Sequence, residues 1–243
     1  MDYGVLFMTR MLLGVLLLQL SFISQHADAG IVLSGTRIVY PGNKQEVTVS
    51  LRNTSSHALL IQSWIDTGDP LMMPEKINVP FVIMPPITRI NGGGKQSLRI
   101  VYTKKQLPED RESVFWLNVL AVPPKSSDSE SYKLNIAYQT RIKLFYRPES
   151  LNIDAGTAPS KLQWKKEQNK VSAYNPTPYY ISLLSVTDSS KKKELVAQGK
   201  MIAPYGSIIF SREEGEALNR TSRLMYSIID DSGMVREFIS NLN

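Results

Sequence analysis

Residues 132–148, YKLNIAYQTRIKLFYRP, alternate strictly at their start: Tyr132, Leu134, Ile136 and Tyr138 fall on one side of an extended chain, Lys133, Asn135, Ala137 and Gln139 on the other. Period two predicts a strand. At ~3.3 Å per residue these 17 residues reach roughly 55 Å, against an ordinary strand of ~5–6 residues. Two uses of the extra length stay open: a long core strand that bends into a following domain, or a strand whose apolar face is left for another molecule. Upstream, shorter β-branched or alternating runs at 30–40, 46–51, 58–65, 78–84, 97–102 and 113–122 predict further strands. Turn signals separate them: Pro41-Gly42, the NTSSH of 53–57, the TGDP of 67–70, Pro85-Pro86 and the NGGGK of 91–95. Seven or eight strands with no helical period read as a β-sandwich of the immunoglobulin type.

The segment 148–159, PESLNIDAGTAP, reads as a crossing into a second domain, so the boundary is set at 148/149. Beyond it, 162–164 and 170–174 pair as a hairpin, and 179–186, 194–202, 207–210, 224–229 and 235–239 follow as strands. Residues 212–219 are a helical turn or a loop. No internal repeat is strong enough to claim duplication. The fold class is all-β, in two domains.

The chain has 243 residues. Residues 1–29 stand apart: Arg10 precedes the apolar run 11–23, which is shorter than the ~20 residues a membrane span needs. Ala27-Asp28-Ala29 then makes a small-x-small cleavage site, so 1–29 is expected to be a signal peptide cut after Ala29, with domains at 30–148 and 149–243. Losing Arg10, Asp2 and Asp28 from 28 basic and 22 acidic residues leaves 27 against 20, a net +7. In an exported protein that excess points to carboxylates or anionic surfaces rather than nucleic acid. With no cysteine, the fold is held by core burial alone. His57, in a loop signature, is the single histidine after the leader, which excludes His/Cys zinc sites and Cys-His nucleophiles.

Several groups carry candidate chemistry. The GGGK of 92–95 resembles a phosphate loop, but a strand follows it where a helix is required, so it reads as a hairpin turn. The lysine run 191–193 reads as a solvated turn. Glu109, Asp110 and Glu112 could be offered as paired carboxylates of a secreted hydrolase. Glu112 opens the apolar strand SVFWLNV, where a carboxylate needs a cation partner, so an ion pair fits it better. A carbohydrate-binding module would display aromatics at loops, whereas Trp64, Trp116 and Trp164 lie in apolar strand patterns. Arg37, Lys143 and Arg147 are cations embedded in apolar strands: either they face outward in solvent, or two of them meet as an anion site. Lys143 and Arg147 are on the opposite parity from Leu134, Ile136 and Tyr138, and share their face only if a bulge intervenes.

Four motifs now coincide in order: GTRIVYP at 35–41, LPEDRESVFWLNVLAVPP at 107–124, QTRIKLFYRP at 139–148 and NPTPYY at 175–180. With them the sequence resembles the periplasmic chaperones of the chaperone–usher pilus pathway, over essentially all of 30–243. The resemblance implies two immunoglobulin-like domains in a boomerang with a cleft between them. It implies a non-enzymatic protein without cofactor, metal or small-molecule substrate, whose partners are pilus subunits and an outer-membrane usher. Such a chaperone lends its long strand to a subunit that lacks its own last strand. Tyr132, Leu134, Ile136 and Tyr138 match the donor positions, Arg37 and Lys143 the cleft pair that holds the subunit's C-terminal carboxylate, and Glu112, Arg147 and Asp230 an interdomain ion-pair network. The short 125–133 loop matches the short-loop branch of the family, and Tyr138 is bulkier than the aliphatic residue usual at its position. Four large side chains at ~1.5–3 kcal/mol each would contribute on the order of 6–12 kcal/mol before ordering costs. The exposed strand also leaves self-association of the free protein open.

Overall fold

The computed structural model describes residues 30–124, 136–167, 170–189, 195–211, 214, 218 and 222–242. The first domain is a sandwich of two sheets, with strand orders β1-β3-β7-β5 and β2-β9-β8-β4-β6. In chain order these are β1 (Ile31–Leu33), β2 (Arg37–Pro41), β3 (Glu46–Asn53), β4 (Leu59–Asp66), β5 (Phe81–Met84), β6 (Ile87–Ile90), β7 (Lys95–Tyr102), β8 (Ser113–Val122) and β9 (Tyr138–Arg147). Alternate side chains of both sheets close one core, including Leu51, Ile61, Leu98, Ile100, Leu117 and Leu144. A cluster of Tyr40, Phe81, Tyr102 and Tyr146 rings caps one end of it, with centroids 4.6–6.4 Å apart.

The sequence does not show which sheet a strand joins, and two local expectations change for that reason. The 30–40 run divides: β1 pairs with β3 in one sheet, and β2 pairs with β9 in the other. Pro85-Pro86 ends β5 at Met84 as expected, but a further strand follows at once. Proline supplies no donor to the ladder, so β5 leaves its partner β7 there and the chain re-enters as β6 beside β4 in the opposite sheet. The 91–95 segment is a tight turn but not a hairpin, because β6 and β7 belong to different sheets. Gly92 is required by close approach, since a Cβ there would sit 2.3 Å from the Ser56 carbonyl oxygen, and Gly93 has φ +71°.

The second domain contains β10 (Gln163–Glu167), β11 (Lys170–Tyr174), β12 (Ile181–Asp188), β13 (Leu195–Ile202), β14 (Ser207–Ile209), β15 (Arg223–Ile229) and β16 (Val235–Asn241). They form sheets ordered β10-β11-β14 and β13-β12-β15-β16. The expected hairpin is β10 against β11, with Glu167 opposite Lys170. This domain has its own core, including Trp164, Val171, Ile202, Leu224 and Tyr226, and no residue of it belongs to the first core.

β9 positions everything that follows. It pairs with β8 from Tyr138 to Tyr146 in continuous register, without a bulge. Its even side chains Ile142 and Leu144 enter the first core. Its odd side chains Arg141, Lys143, Phe145 and Arg147 therefore lie on the opposite face, and the last three meet residues of the second domain. Of the expected donor positions, Tyr132 and Leu134 lie outside the described residues, as does the leader 1–29. Ile136 precedes β9 and Tyr138 opens it.

Candidate functional site: two cations at the end of an open strand edge

β2 runs parallel to β9, and their register places Arg37 beside Lys143. Both are odd-face residues, and both are partly buried. The Arg37 guanidinium donates through one terminal nitrogen to the Ile229 carbonyl, 2.6 Å away on β15. Its Nε is buried without any hydrogen-bond partner. Among the described residues Lys143 Nζ reaches only the Ser182 hydroxyl, at 3.5 Å. Burial pushes the Arg37 pKa down, and the charges of Asp231 and Asp230 offset that in part. Burial also pushes Lys143 down, and the charge of Arg37 lowers it further. Among the described residues neither cation has a carboxylate within ion-pair distance. Two desolvated like charges side by side, with a buried donor unsatisfied, form a site complementary to an anion. A cavity of about 240 Å³ opens beside Arg37, between Arg147, Tyr180, Ile228 and Asp231.

β2 reaches no further than Arg37, opposite Lys143. Residues 138–142 of β9 are paired with β8 on one side and, among the described residues, have no strand on the other. That stretch is a free edge with unused backbone donors and acceptors. Its flanking apolar side chains are exposed: Ile136 to 47% and Tyr138 to 62%. Tyr138 stands opposite Ala121, a core residue, so its side chain leaves the sheet on the core side, where the sandwich no longer covers it.

The hinge residues make a network of their own. Arg147 Nε donates to Glu112 Oε1 at 2.7 Å, and its terminal nitrogens donate to Asp231 at 2.8 and 3.2 Å. The other Glu112 oxygen accepts the Tyr180 amide at 2.8 Å, and the Glu112 amide donates to the Pro178 carbonyl. Arg147 lies over the Tyr179 ring, and Phe145 packs against Tyr180. Burial pushes Glu112 above the ordinary carboxylate range, and Arg147 counters it. Burial alone would lower Arg147, but Asp231 and Glu112 outweigh it and its pKa is raised. The expected third member, Asp230, is not the one that meets Arg147. Its carboxylate accepts from the Ser232 amide and hydroxyl and from the Met234 amide, shaping the turn that carries Asp231. Glu112 is paired, and Asp110 is bound to Arg111 on the surface, so the acids offered for a hydrolase do not form an unpaired couple.

One cluster was not anticipated from the sequence. On the same odd face, Arg141 donates to both oxygens of Asp66, at 2.5 and 3.2 Å, and lies over the Trp116 ring. Asn118 donates to Asp66 at 2.6 Å and accepts from Gln139 at 2.9 Å. The only signal was a carboxylate closing the apolar run ALLIQSWI; its partner is 75 residues away.

Residues 30–152 match the domain described as Pili and flagellar-assembly chaperone, PapD N-terminal domain, and 157–239 match Pili assembly chaperone PapD, C-terminal domain. The chain belongs to the PapD family of pilus-assembly chaperones. Among relatives of this family, it is 40% identical over 219 residues to the probable fimbrial chaperone YadV of Escherichia coli K12, covering 86% of this chain and 89% of that one. It is 36% identical to the chaperone protein HifB of Haemophilus influenzae over 216 residues, 87% of each. The Pseudomonas aeruginosa CupB2 chaperone superposes with a TM-score of 0.73 at 36% identity, over 87% of this chain and all of that one. A Salmonella enterica SafB chaperone, solved in complex with the SafA pilin, gives 0.75 at 26% identity, over 88% and 96%. The all-β, two-domain expectation agrees with the PapD family fold.

Proposed function

We propose that this protein captures fimbrial subunits by strand addition and passes them to an outer-membrane usher, working in the periplasm after removal of residues 1–29. The observation that carries the reading is the coincidence of a free strand edge at 138–142 with two desolvated, carboxylate-free cations at its end. A subunit strand whose C-terminal carboxylate sits at Arg37 and Lys143 must lie back along 142–138. It therefore runs in the same direction as β9, adding in parallel where β2 leaves off. Backbone groups of the edge are satisfied, and the even side chains Ile136 and Tyr138, with Leu134 and Tyr132 ahead of them, fill the groove of the subunit. The carboxylate fixes the register, because a slip of one residue would reverse every side chain. Odd parity suits the cations to this arrangement: they mark the end of the added strand without entering the apolar track. Glu112, Arg147 and Asp231, with Asp230 holding the turn, set the angle between the domains.

The test is capture of subunits from the periplasm. Charge-assisted hydrogen bonds contribute ~1.5–3 kcal/mol each, so Arg37→Ala and Lys143→Ala should each weaken capture at least roughly tenfold. Thermal unfolding of Lys143→Ala should stay near that of the wild type, because among the described residues it has no ion-pair partner to lose, whereas Arg37→Ala also gives up its bond to the Ile229 carbonyl. Normal co-purification of subunits with both variants would overturn the carboxylate anchor.

A further inference from the structure

The odd side chains of β9 are held in an unbroken series. Lys143 faces Ser182, Arg141 is gripped by Asp66, and Gln139 is bound to Asn118. Asp66 and Asn118 are themselves buried, at 1% and 0% exposure, and bound to each other. Asp66 also accepts the Gly68 amide at 2.6 Å, so every link of the clamp is anchored in the sheet or in the turn that follows β4. On the other face the even side chains Ile136 and Tyr138 are exposed, and on that edge the backbone has no neighbouring strand among the described residues. A strand with one free edge and one exposed face would fray at its start unless something fixed it from the remaining side.

We propose that Asp66 and Asn118 are positioning residues for strand donation. Through Arg141 and Gln139 they hold 138–141 extended from the odd face, so that the free edge and the even side chains are offered already ordered. The inference rests on the strand-addition reading for its functional consequence, but not for the clamp itself. Ordering a residue's backbone only upon binding costs ~1–2 kcal/mol, so freeing one residue of this stretch would weaken capture roughly tenfold, a factor equal to about 1.4 kcal/mol.

The test uses the full mature chain. Gln139→Ala removes an exposed side chain and keeps the fold in any case; Asp66→Asn cuts the grip on Arg141; Arg141→Lys keeps the charge but not the two-point bond. Amide hydrogen exchange on the free protein should quicken at 137–141 in all three, beyond any change in the rest of the first domain. Capture of a purified fimbrial subunit bound by the wild type should fall roughly tenfold in Asp66→Asn, and Gln139→Ala and Arg141→Lys should show smaller losses in the same direction. Exchange that rises evenly across the domain, or capture that is unchanged while 137–141 loosens, would overturn the proposal. If Asp66→Asn fails to fold, Gln139→Ala decides alone by the same two readouts. If the wild type captures no subunit at all, the strand-addition reading fails, and the exchange arm still accepts or rejects the clamp.

Discussion

The two kinds of buried charge in this protein serve opposite ends. Arg37 and Lys143 are partly desolvated and, among the described residues, have no carboxylate within ion-pair distance, an arrangement that is unfavourable in the absence of an anion. Asp66 is buried with its hydrogen bonds filled. Burial pushes the Asp66 carboxyl up, but the bonds from Arg141, Asn118 and the Gly68 amide more than reverse this, and its pKa is lowered. A carboxyl whose pKa is lowered by folding contributes stability that is whole above the unfolded value, ~3.9 for Asp, and is lost as pH falls through the folded value. Asp66→Asn is therefore expected to be less stable than wild type at neutral pH, by up to ~3 kcal/mol, and to show a shallower loss of stability below about pH 4. Urea unfolding across that range checks both. Arg37, Lys143 and Arg147 stood out in the sequence because a charge inside an apolar strand is conspicuous, but which two form a pair followed only from the family resemblance. Asp231 did not stand out: two adjacent acids look alike until the turn at 230–234 engages one and turns the other toward Arg147.

At the scale of elements, the alternation of apolar residues found nearly every strand but could not assign strands to sheets. The chain crosses between sheets after β1 and at Pro85-Pro86 without any change of period. A second device was hidden for a similar reason. Asn53 donates to the His57, Ile90 and Asn91 carbonyls and Asn175 to those of Tyr179 and Ala203, and each side-chain oxygen accepts from the amide and hydroxyl of a Ser or Thr two residues on. The same buried turn thus closes NTSSH in one domain and NPTPY in the other, although the sequences around it share no claimable repeat. In β9 the parity written in the sequence holds in register, so the side chains of Tyr138 and Lys143 occupy opposite faces. Ile136→Asp is accordingly expected to abolish subunit capture while moving the melting temperature by no more than about 2 °C, since an exposed substitution stays within ~0.5 kcal/mol. A large fall in the melting temperature of the free variant would assign Ile136 to the chaperone's own core instead.

At the scale of the molecule, two separate cores meet across contacts that include Arg37 to Ile229, Lys143 to Ser182, Phe145 to Tyr180, Glu112 to Tyr180, and the Glu112–Arg147–Asp231 network. The sequence sets the boundary beside Arg147-Pro148 but does not give the geometry there, because the partners lie far apart in the chain, Glu112 and Tyr180 by 68 residues and Arg147 and Asp231 by 84. Glu112→Gln should broaden the interdomain envelope seen by solution scattering, since it weakens the buried pair. Asp231→Asn should move it less, its carboxylate being half exposed, and Asp230→Asn least, because an amide still accepts the bonds of the turn. An envelope unchanged in Glu112→Gln would remove the network from the account. The central claim, that the free edge of β9 receives a subunit strand, is tested most directly by hydrogen exchange on the purified chaperone–subunit complex. Strong new protection is expected over 136–142, ending at Lys143. A tightly bound subunit that leaves the exchange of 136–142 as it is in the free protein would contradict it.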